Sequence, residues 1–230
     1  MIVTPVRTRI FKEGEDLERF IVEHIQTIPD GSVLVVTSKI VALAEGRTAD
    51  PKDREEIIKK ESTFAIRTKH TWLTIKDGTV MASAGVDESN ADGKLILLPR
   101  DSFETAEVLR TELMKHFGLK NLGVLITDSR FVPLRAGAAG VALGYAGFRG
   151  AREYRGKPDI FGRVLQFSRT DIADGLATAA VLEMGEGAEQ RPLAIIEKPP
   201  VEFVEKVDRT ELHIDIEDDL YRPLFDKLSS

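Results

Sequence analysis

Hydrophobic and polar positions along the chain follow two patterns. One is typical of amphipathic or exposed helices, and the other is typical of buried strands. Local spacing predicts helices over residues 15–28, 40–44, 53–60, 101–118 and 171–184. Short apolar runs predict strands over residues 2–11, 32–37, 95–98, 122–126, 164–167, 193–196 and 212–216. Residues 72–75 and 79–82 flank an Asp77-Gly78 turn and predict a β-hairpin. Because strands and helices mix without regular βαβ alternation, the predicted fold class is α+β.

The composition is that of an ordinary globular protein. The chain has 230 residues, 42% hydrophobic and 30% charged, which fits one large domain or two small lobes sharing a core. Its net charge of −6 argues against a nucleic-acid-binding protein, since such proteins usually present a basic face. The absence of cysteine excludes disulfides, thiolate metal sites and cysteine nucleophiles. No apolar stretch fits a signal peptide or a membrane span, so we expect a cytoplasmic protein without a membrane partner.

Residues 123–163 form a segment rich in glycine and arginine. The apolar run 124–126 ends in Thr127-Asp128-Ser129, where a buried strand would open into a cleft. The glycines and arginines that follow are Gly137, Gly140, Gly144, Gly147 and Gly150, with Arg130, Arg135, Arg149 and Arg152. Such glycine density predicts a backbone-lined pocket, and the arginines suit an anionic ligand. The alternative is a segment packed tightly under a sheet.

Two further polar clusters stand at the ends of predicted elements. Ser38 and Lys39 lie between a strand and a helix, a layout that can bind phosphate although the glycines of a Walker A loop are absent. The alternative is that Ser38 caps the helix and Lys39 lies in solvent. Asp87, Asp128 and Glu186 would suit Mg²⁺ or Mn²⁺ if their carboxylates converge. With 38 acidic residues in the chain, a chance trio is the alternative.

Histidine chemistry and a classical dinucleotide site are not indicated. The four histidines are isolated in sequence, without HxH or HExxH spacing. Gly144, Gly147 and Gly150 are each three residues apart. The dinucleotide-binding fingerprint requires glycines that are two and then three residues apart.

Six segments resemble, in order, the CofE family, whose members attach γ-linked glutamate to the deazaflavin coenzyme F-420. They are TSKIVALAEGR, AGVDESN, the TDS triplet leading to GVALGYAG, YRGKPDIFGR, DIADGLATAAVLEMGE and RPLAIIEK. The resemblance covers residues 1–198, which we interpret as one ligase domain of two interleaved lobes without a clean boundary. Residues 199–230 form a C-terminal tail outside it.

The resemblance implies a two-lobed α+β fold with mixed sheets that forms an intertwined homodimer. It implies a ligase that uses GTP, or ATP, together with two divalent cations, Mg²⁺ or Mn²⁺, and often K⁺. The amide would form between an acceptor carboxylate and L-glutamate by way of an acyl phosphate.

Matching the motifs position by position transfers the family's site residues to this chain. Asp87 and Asp128 resemble the ligands of the first metal, and Ser129 and Glu186 those of the second. We place Lys39, Asp128 and Arg135 at the reacting groups. The implied nucleotide contacts are Thr8, Arg9, Ile10, Phe11, Ser38, Lys39, Asn90 and the loop of Met184, Gly185, Glu186, Gly187, Ala188, Glu189, Gln190 and Arg191.

Two departures from the family pattern leave the acceptor open. Leu43 stands where a second lysine is usual, and residues 130–133 replace an aromatic-glycine-arginine run. The default acceptor is the coenzyme precursor, and the alternatives are a different small carboxylate or a protein. The change at Leu43 also leaves open a nucleotide- or metabolite-binding homologue without catalysis. A deazaflavin-binding oxidoreductase is disfavoured, because no flavin or nicotinamide site is recognised.

Overall fold

The computed structural model of the protein describes residues 1–225, which adopt the α+β fold that the sequence predicts. The strands are β1 Ile2–Val6, β2 Ser32–Thr37, β3 Thr48–Ala49, β4 Phe64–Arg67, β5 Trp72–Lys76, β6 Thr79–Ala82, β7 Leu95–Ile96, β8 Leu122–Phe131, β9 Ala138–Ala146, β10 Ala151–Glu153, β11 Arg169–Asp171 and β12 Leu193–Glu197. The helices are α1 Leu17–His24, α2 Ser38–Ala44, α3 Arg54–Glu61, α4 Ser102–Phe117, α5 Ile172–Met184 and α6 Arg222–Phe225.

A five-stranded mixed sheet with the order β1-β12-β2-β8-β9 organises the molecule. Strands β2 and β8 are parallel, paired from Ser32 and Leu122 to Thr37 and Thr127, and the other neighbours are antiparallel. Residues 33–36 of β2 are buried on both faces, as the continuous apolar run predicts. Because the two parallel strands run side by side in register, the residues that follow Thr37 and Thr127 meet at one edge of the sheet.

Helices cover both faces of this sheet. On one face, α1, α2 and α4 pack on a core that includes Leu34 and Ile126. On the other face, α5 packs on a core that includes Val33 and Leu125. The alternation of neighbouring residues between the two cores follows from the period of two along a strand.

A smaller unit is inserted between α2 and α4. Strands β4, β5 and β6 form one antiparallel sheet, and β3 and β7 form another. Helix α3 contributes Ile58 to a separate small core with Val86, Leu95 and Leu97. The hairpin predicted around Asp77-Gly78 is confirmed, whereas β4 was not predicted. The division of residues 1–198 into two interleaved lobes stays a prediction.

Several predicted elements differ from the structure. Helix α4 begins after its cap Asp101 and ends at the left-handed Gly118, as predicted. Helix α1 ends at His24, four residues early, because Ile25 already has an extended backbone. The strands predicted over residues 164–167 and 212–216 are wrong, since Val164 makes only an isolated bridge with Pro158 and residues 212–216 form turns and irregular structure. An apolar run becomes a strand only where a neighbouring strand satisfies its backbone groups.

The glycine-rich segment after β8 forms strand β9, which the sequence did not reveal. A Cβ added at Gly140 would lie 2.5 Å from the carbonyl oxygen of Ala177 in α5. A Cβ at Gly144 would lie 2.4 Å from the carbonyl carbon of Ser102 at the start of α4. At these two positions the glycines allow helices to approach the strand backbone. The tight-packing alternative therefore describes β9 better than a backbone-lined pocket does.

Residues beyond Pro199 pack on the second core. Val201, Phe203, Val207 and Leu212 are partly buried against it. Glu211 accepts hydrogen bonds from the hydroxyl of Tyr145 at 2.7 Å and from the N–H of Gly150 at 2.6 Å. The tail thus contacts the domain closely, at least as far as residue 212. Within residues 1–225, no helix has both the length and the apolar character needed to cross a membrane.

Candidate functional site

Ser38 and Asp128 meet at the edge of the sheet where β2 ends. The cap of α2 is Thr37, whose side chain makes no capping hydrogen bond, so the alternative in which Ser38 caps this helix is wrong. Ser38 is buried in the first turn, and its Oγ donates to Oδ1 of Asp128 over 3.5 Å. The parallel pairing of β2 and β8 therefore brings a hydroxyl beside a carboxylate.

Lys39 links helix α2 to the segment that precedes β7. Its Nζ lies 2.8 Å from Oδ2 of Asp87, 2.6 Å from Oγ of Ser89 and 3.1 Å from the carbonyl oxygen of Ser89. Ser89 in turn donates its N–H and its hydroxyl to the two carboxylate oxygens of Asp87, at 2.9 and 2.7 Å. Only 28% of the Lys39 side chain is exposed. The alternative in which Lys39 lies free in solvent is therefore wrong.

Burial and neighbouring charges act differently on the two aspartates. Burial raises the pKa of Asp128, and the charge of Asp87 adds to this effect, whereas the Ser129 N–H and the charges of Arg130 and Lys39 partly oppose it. Desolvation also acts to raise the pKa of Asp87, but hydrogen bonds from Lys39 and Ser89 outweigh it and lower that pKa overall. Asp87 is thus stabilised as an anion by an adjacent ammonium group, while Asp128 lies closer to the protein interior.

The loop after α5 contacts residues at this edge of the sheet. Glu186 accepts a hydrogen bond from Oγ of Ser129 at 2.5 Å. Asn90 donates from Nδ2 to the carbonyl oxygen of Gly187 at 3.2 Å. Residues from β8, from the segment before β7 and from the loop after α5 therefore come together, although they are far apart in sequence.

A family model described as "F420-0:Gamma-glutamyl ligase" matches residues 5–56 and 48–198. The chain belongs to this family. The "Coenzyme F420:L-glutamate ligase" of Methanothermobacter thermautotrophicus is 34% identical over 213 residues, covering 81% of this chain and 84% of that protein. The protein of the same name from Methanocaldococcus jannaschii is 34% identical over 224 residues, covering 84% of this chain and 86% of that protein. The one from Archaeoglobus fulgidus is 31% identical over 208 residues, covering 81% and 83%. The resemblance found in the sequence is confirmed.

Two of the segments that the F420-0:gamma-glutamyl ligase family implies as nucleotide contacts, residues 8–11 and 184–191, are neighbours. The N–H of Thr8 donates to the carbonyl oxygen of Gln190 at 2.9 Å, which joins the N-terminal segment to the loop after α5. Arg9 forms ion pairs with two glutamates near α1, Ile10 is exposed, and the ring of Phe11 is buried. Their roles stay predictions, and the side chains of Arg9 and Phe11 are engaged within the protein.

Three other residues singled out in the sequence have different surroundings. Arg135 lies on the exposed turn between β8 and β9, and its side chain makes no hydrogen bond or ion pair within the described part of the chain. Its catalytic role stays a prediction. Met184 is buried in the second core. Leu43, at the position of a usual family lysine, packs against two core clusters and so faces apolar side chains.

The four residues assigned to metal binding supply carboxylate and hydroxyl oxygen atoms. Across residues 1–225, no three acidic or histidine side chains gather closely enough to hold a metal ion by themselves. Ser129 contacts Glu186 directly, and the charge of Asp87 acts to raise the pKa of Asp128. Magnesium typically takes one or two carboxylates and completes its shell with water and substrate phosphates. The donor chemistry of these four residues therefore fits Mg²⁺ or Mn²⁺ shared with a bound nucleotide.

Ser89 is the site residue that sequence reasoning missed. It contacts both Lys39 and Asp87, and so connects these two side chains. The available signal was its place in the AGVDESN motif, two residues after Asp87, where a serine commonly forms a turn onto an aspartate.

Proposed function

We propose that the protein is a nucleotide-dependent glutamate ligase that joins the amine of L-glutamate to a carboxylate of a coenzyme F-420 precursor. Its family is one of glutamate ligases, and the relatives compared above carry the name coenzyme F420:L-glutamate ligase. The observation that carries the proposal is the set of contacts that joins Lys39, Asp87, Asp128 and Glu186 to one edge of the sheet. GTP is the proposed nucleotide, with ATP as the alternative.

The chemistry of amide formation explains why such a site is needed. A carboxylate has no good leaving group, so one of its oxygens first attacks the terminal phosphorus of the nucleotide and releases the nucleoside diphosphate. The product of this step is an acyl phosphate. The amine of glutamate then attacks the acyl carbon, the amide bond forms, and inorganic phosphate and a proton leave. Catalysis of the first step rests on alignment and on charge neutralisation.

The residues at the sheet edge have distinct proposed roles. The ammonium group of Lys39 binds a nucleotide phosphate in place of its present contact with Ser89. Ser38 and Asn90 contact the nucleotide, together with residues 184–191. Asp87 and Asp128 would hold one divalent cation, Ser129 and Glu186 a second, with K⁺ as a further ion. These cations, when bound, neutralise negative charge on the phosphates.

The acceptor carboxylate has a second candidate, because the sequence departs from the family near Asp128. Residues 130–133 depart from the family run that follows the TDS triplet, and they lie at the end of β8 beside Asp128. A different small carboxylate, or a protein, is therefore the second candidate acceptor for the same ligase chemistry.

Turnover of the nucleotide tests the function and its acceptor together. Purified protein is mixed with Mg²⁺ or Mn²⁺, L-glutamate, and GTP or ATP, with and without the coenzyme precursor. Phosphate release and product mass are then followed. A precursor that gains one glutamate per phosphate released supports the proposal. Phosphate release without a change in the precursor moves the reaction to another acceptor, and the absence of nucleotide binding contradicts the ligase.

We also propose that the enzyme is a homodimer. Residues 154–168, between β10 and β11, expose large apolar side chains, with Ile160, Phe161 and Phe167 at 91%, 89% and 87% exposure. An isolated protein rarely presents several such side chains together unless a partner covers them. The mass in solution, measured by light scattering, should be twice that of one chain and should fall to one chain in the double variant Phe161→Glu, Phe167→Glu. A wild-type monomer would contradict the proposal.

A further inference from the structure

Four arginines lie on or near strands β8 to β10, and three of them have a protein partner or are open to solvent. Arg149 is exposed and pairs with Glu202 at 3.0 Å. Arg152 donates to the carbonyl oxygen of Pro200. Arg135 lies on the exposed turn between β8 and β9, where water can solvate its guanidinium.

Arg130 differs from the other three because it is half-buried and unpaired. Its Nε is shielded from solvent and has no hydrogen-bond partner. Within residues 1–225, its side chain forms no hydrogen bond and no ion pair. A shielded, charged donor without a partner costs free energy, and proteins rarely retain one without a reason. This donor therefore points to a ligand that is not part of the chain.

The position of Arg130 relates it to the reaction site. Arg130 and Asp128 are two residues apart on β8, so their side chains emerge on the same face of the strand. Desolvation lowers the pKa of Arg130, although the charges of Asp128, Asp174 and Asp77 act to raise it. Within residues 1–225, none of these aspartates forms an ion pair with the guanidinium. The planar fork of an arginine fits a carboxylate through two parallel hydrogen bonds.

We propose that Arg130 binds a carboxylate of L-glutamate and thereby selects a dicarboxylic amino acid as the nucleophile. The proposal rests on the ligase function proposed above. Glutamate supplies the amine in that reaction. Neither of its carboxylates reacts, so both can bind to the enzyme. Holding one of them beside Asp128 orients the amine toward the acyl phosphate. Arg130 is in this role a specificity-determining residue.

The kinetic test compares Arg130→Met, Arg130→Lys and the control Arg100→Met, in which an exposed arginine away from the site is changed in the same way. In Arg130→Met, the KM for L-glutamate should rise about 10- to 100-fold, the expected loss for hydrogen bonds to a charged group. The KM values for GTP and for the acceptor should stay within about twofold. The KM of Arg130→Lys for L-glutamate should lie between those of wild type and Arg130→Met, because lysine keeps the charge but lacks the planar fork of arginine.

Substrate analogues identify which carboxylate is bound. L-glutamine lacks the side-chain carboxylate, and 4-aminobutyrate lacks the α-carboxylate. The wild-type enzyme should prefer L-glutamate over both, and Arg130→Met should lose its preference against the analogue that lacks the bound group. A glutamate KM within about twofold of wild type in an active Arg130→Met enzyme would overturn the proposal. A change confined to the KM for the acceptor would overturn it as well.

Thermal melting gives a readout that does not depend on turnover. Without ligands, Arg130→Met should melt at least about 2 °C above wild type, because an unpaired charge has been removed from a shielded position. With Mg²⁺ and a non-hydrolysable GTP analogue present, L-glutamate should raise the melting temperature of wild type and of Arg100→Met, but not that of Arg130→Met. This result would support Arg130 even if turnover fails and the ligase proposal with it. An equal shift in all three proteins, or none in wild type, would overturn the assignment.

Discussion

Lys39 is held at the edge of the sheet by oxygen atoms of two other residues. In the structure its ammonium group contacts Asp87 and Ser89, which are supplied by a segment about fifty residues further along the chain. These contacts offset the cost of partly burying the lysine and hold it at the edge of the sheet. A phosphate would compete for the same donors, since an ammonium group has three. We therefore expect the proposed nucleotide binding to exchange these oxygen partners of Lys39 for phosphate oxygens.

The replacement Lys39→Ala tests this role. We expect the Kd for GTP to rise about 10- to 100-fold, because a charge-assisted hydrogen bond to phosphate is lost. The Kd is measured by titration with a fluorescent GTP analogue. Lys120→Ala, which removes an exposed lysine side chain, should bind GTP like wild type. An unchanged Kd in Lys39→Ala would assign the lysine to structure alone.

The replacement Asp128→Asn tests the carboxylate beside Ser38. We expect kcat to fall at least about 100-fold, because the amide keeps the shape of the side chain but lacks the charge needed to hold a divalent cation. Circular dichroism should show an unchanged fold. Full metal-dependent turnover in this variant would remove Asp128 from the proposed metal ligands.

At the scale of elements, strand β9 depends on the small size of its residues. Gly144 faces the first turn of α4, and any Cβ there would clash with the backbone of Ser102 and Phe103. Backbone cannot move aside as a flexible side chain can. The strand and the helix thus approach each other only because position 144 lacks a side chain.

Two glycine-to-alanine replacements separate this packing effect from backbone propensity. Gly144→Ala should lower the free energy of unfolding by about 1–3 kcal/mol through overpacking. Gly175→Ala, in α5 with no atom within 4 Å of the added Cβ, should raise it by about 0.5–1 kcal/mol. Both values come from urea unfolding at neutral pH. Equal effects would mean that β9 can shift away from α4.

The caps of α4 and α5 predict opposite dependences of stability on pH. Asp171 caps α5 by accepting from the N–H of Asp174 at 2.9 Å. Desolvation, with the charges of Asp174 and Glu211, raises the pKa of Asp171 to about 6, against the effect of the capping hydrogen bond. The folded state therefore binds this proton more tightly than the unfolded state. The associated stability is present below about pH 4 and is lost as the pH rises to about 6.

The variant Asp171→Asn should remove that loss. Asparagine caps helices about as well as aspartate, so the variant should gain stability over wild type at pH 7 and little at pH 4. Asp101 is the matched control, because it caps α4 and pairs with Arg209 at 2.8 Å. Desolvation acts to raise the pKa of Asp101, but these bonds lower it overall. Asp101→Asn should therefore lose stability at pH 7. The free energy of unfolding of both variants is measured in urea at the two pH values. A change of the same sign in both variants at pH 7, relative to wild type, would contradict this account.

At the scale of the whole molecule, the C-terminal tail contributes to the packing of the ligase domain. Phe203 packs on the second core and bridges to Phe148. Arg110 is buried, and its guanidinium pairs with Glu205 at 3.1 Å. Removing the tail would expose apolar surface and leave buried donors without partners.

Two truncations test this contribution. A chain ending at Lys198 should lose on the order of 5 kcal/mol of unfolding free energy, because several apolar contacts and the partners of Arg110 and Tyr145 disappear. A chain ending at Asp219, which keeps all of these contacts, should unfold like the full chain. The comparison uses guanidinium chloride. If the shorter chain matches the full one, the tail only lies on the domain without stabilising it.

Sequence reasoning succeeded where the physical signal is local. Helix α4 was bounded by its cap Asp101 and by Gly118, and β2 by a continuous run of β-branched residues. It failed at β9, because glycine and alanine have low strand propensity and only the pairing with β8 makes the segment a strand. It also failed at residues 164–167, where strand-forming residues find no adjacent strand.

The sequence by itself determined the α+β class, most of the central elements and, through its ordered motifs, the ligase family. The fold class, the elements and the motifs depend on residue type and short-range spacing, which can be read from the sequence itself. Only the tertiary structure decided that Lys39 contacts Asp87, that Ser129 contacts Glu186 and that Arg130 is left unpaired. Those facts depend on which strands pair and which loops close over their ends. Long-range pairing is a property of the whole packed chain, and no local pattern encodes it.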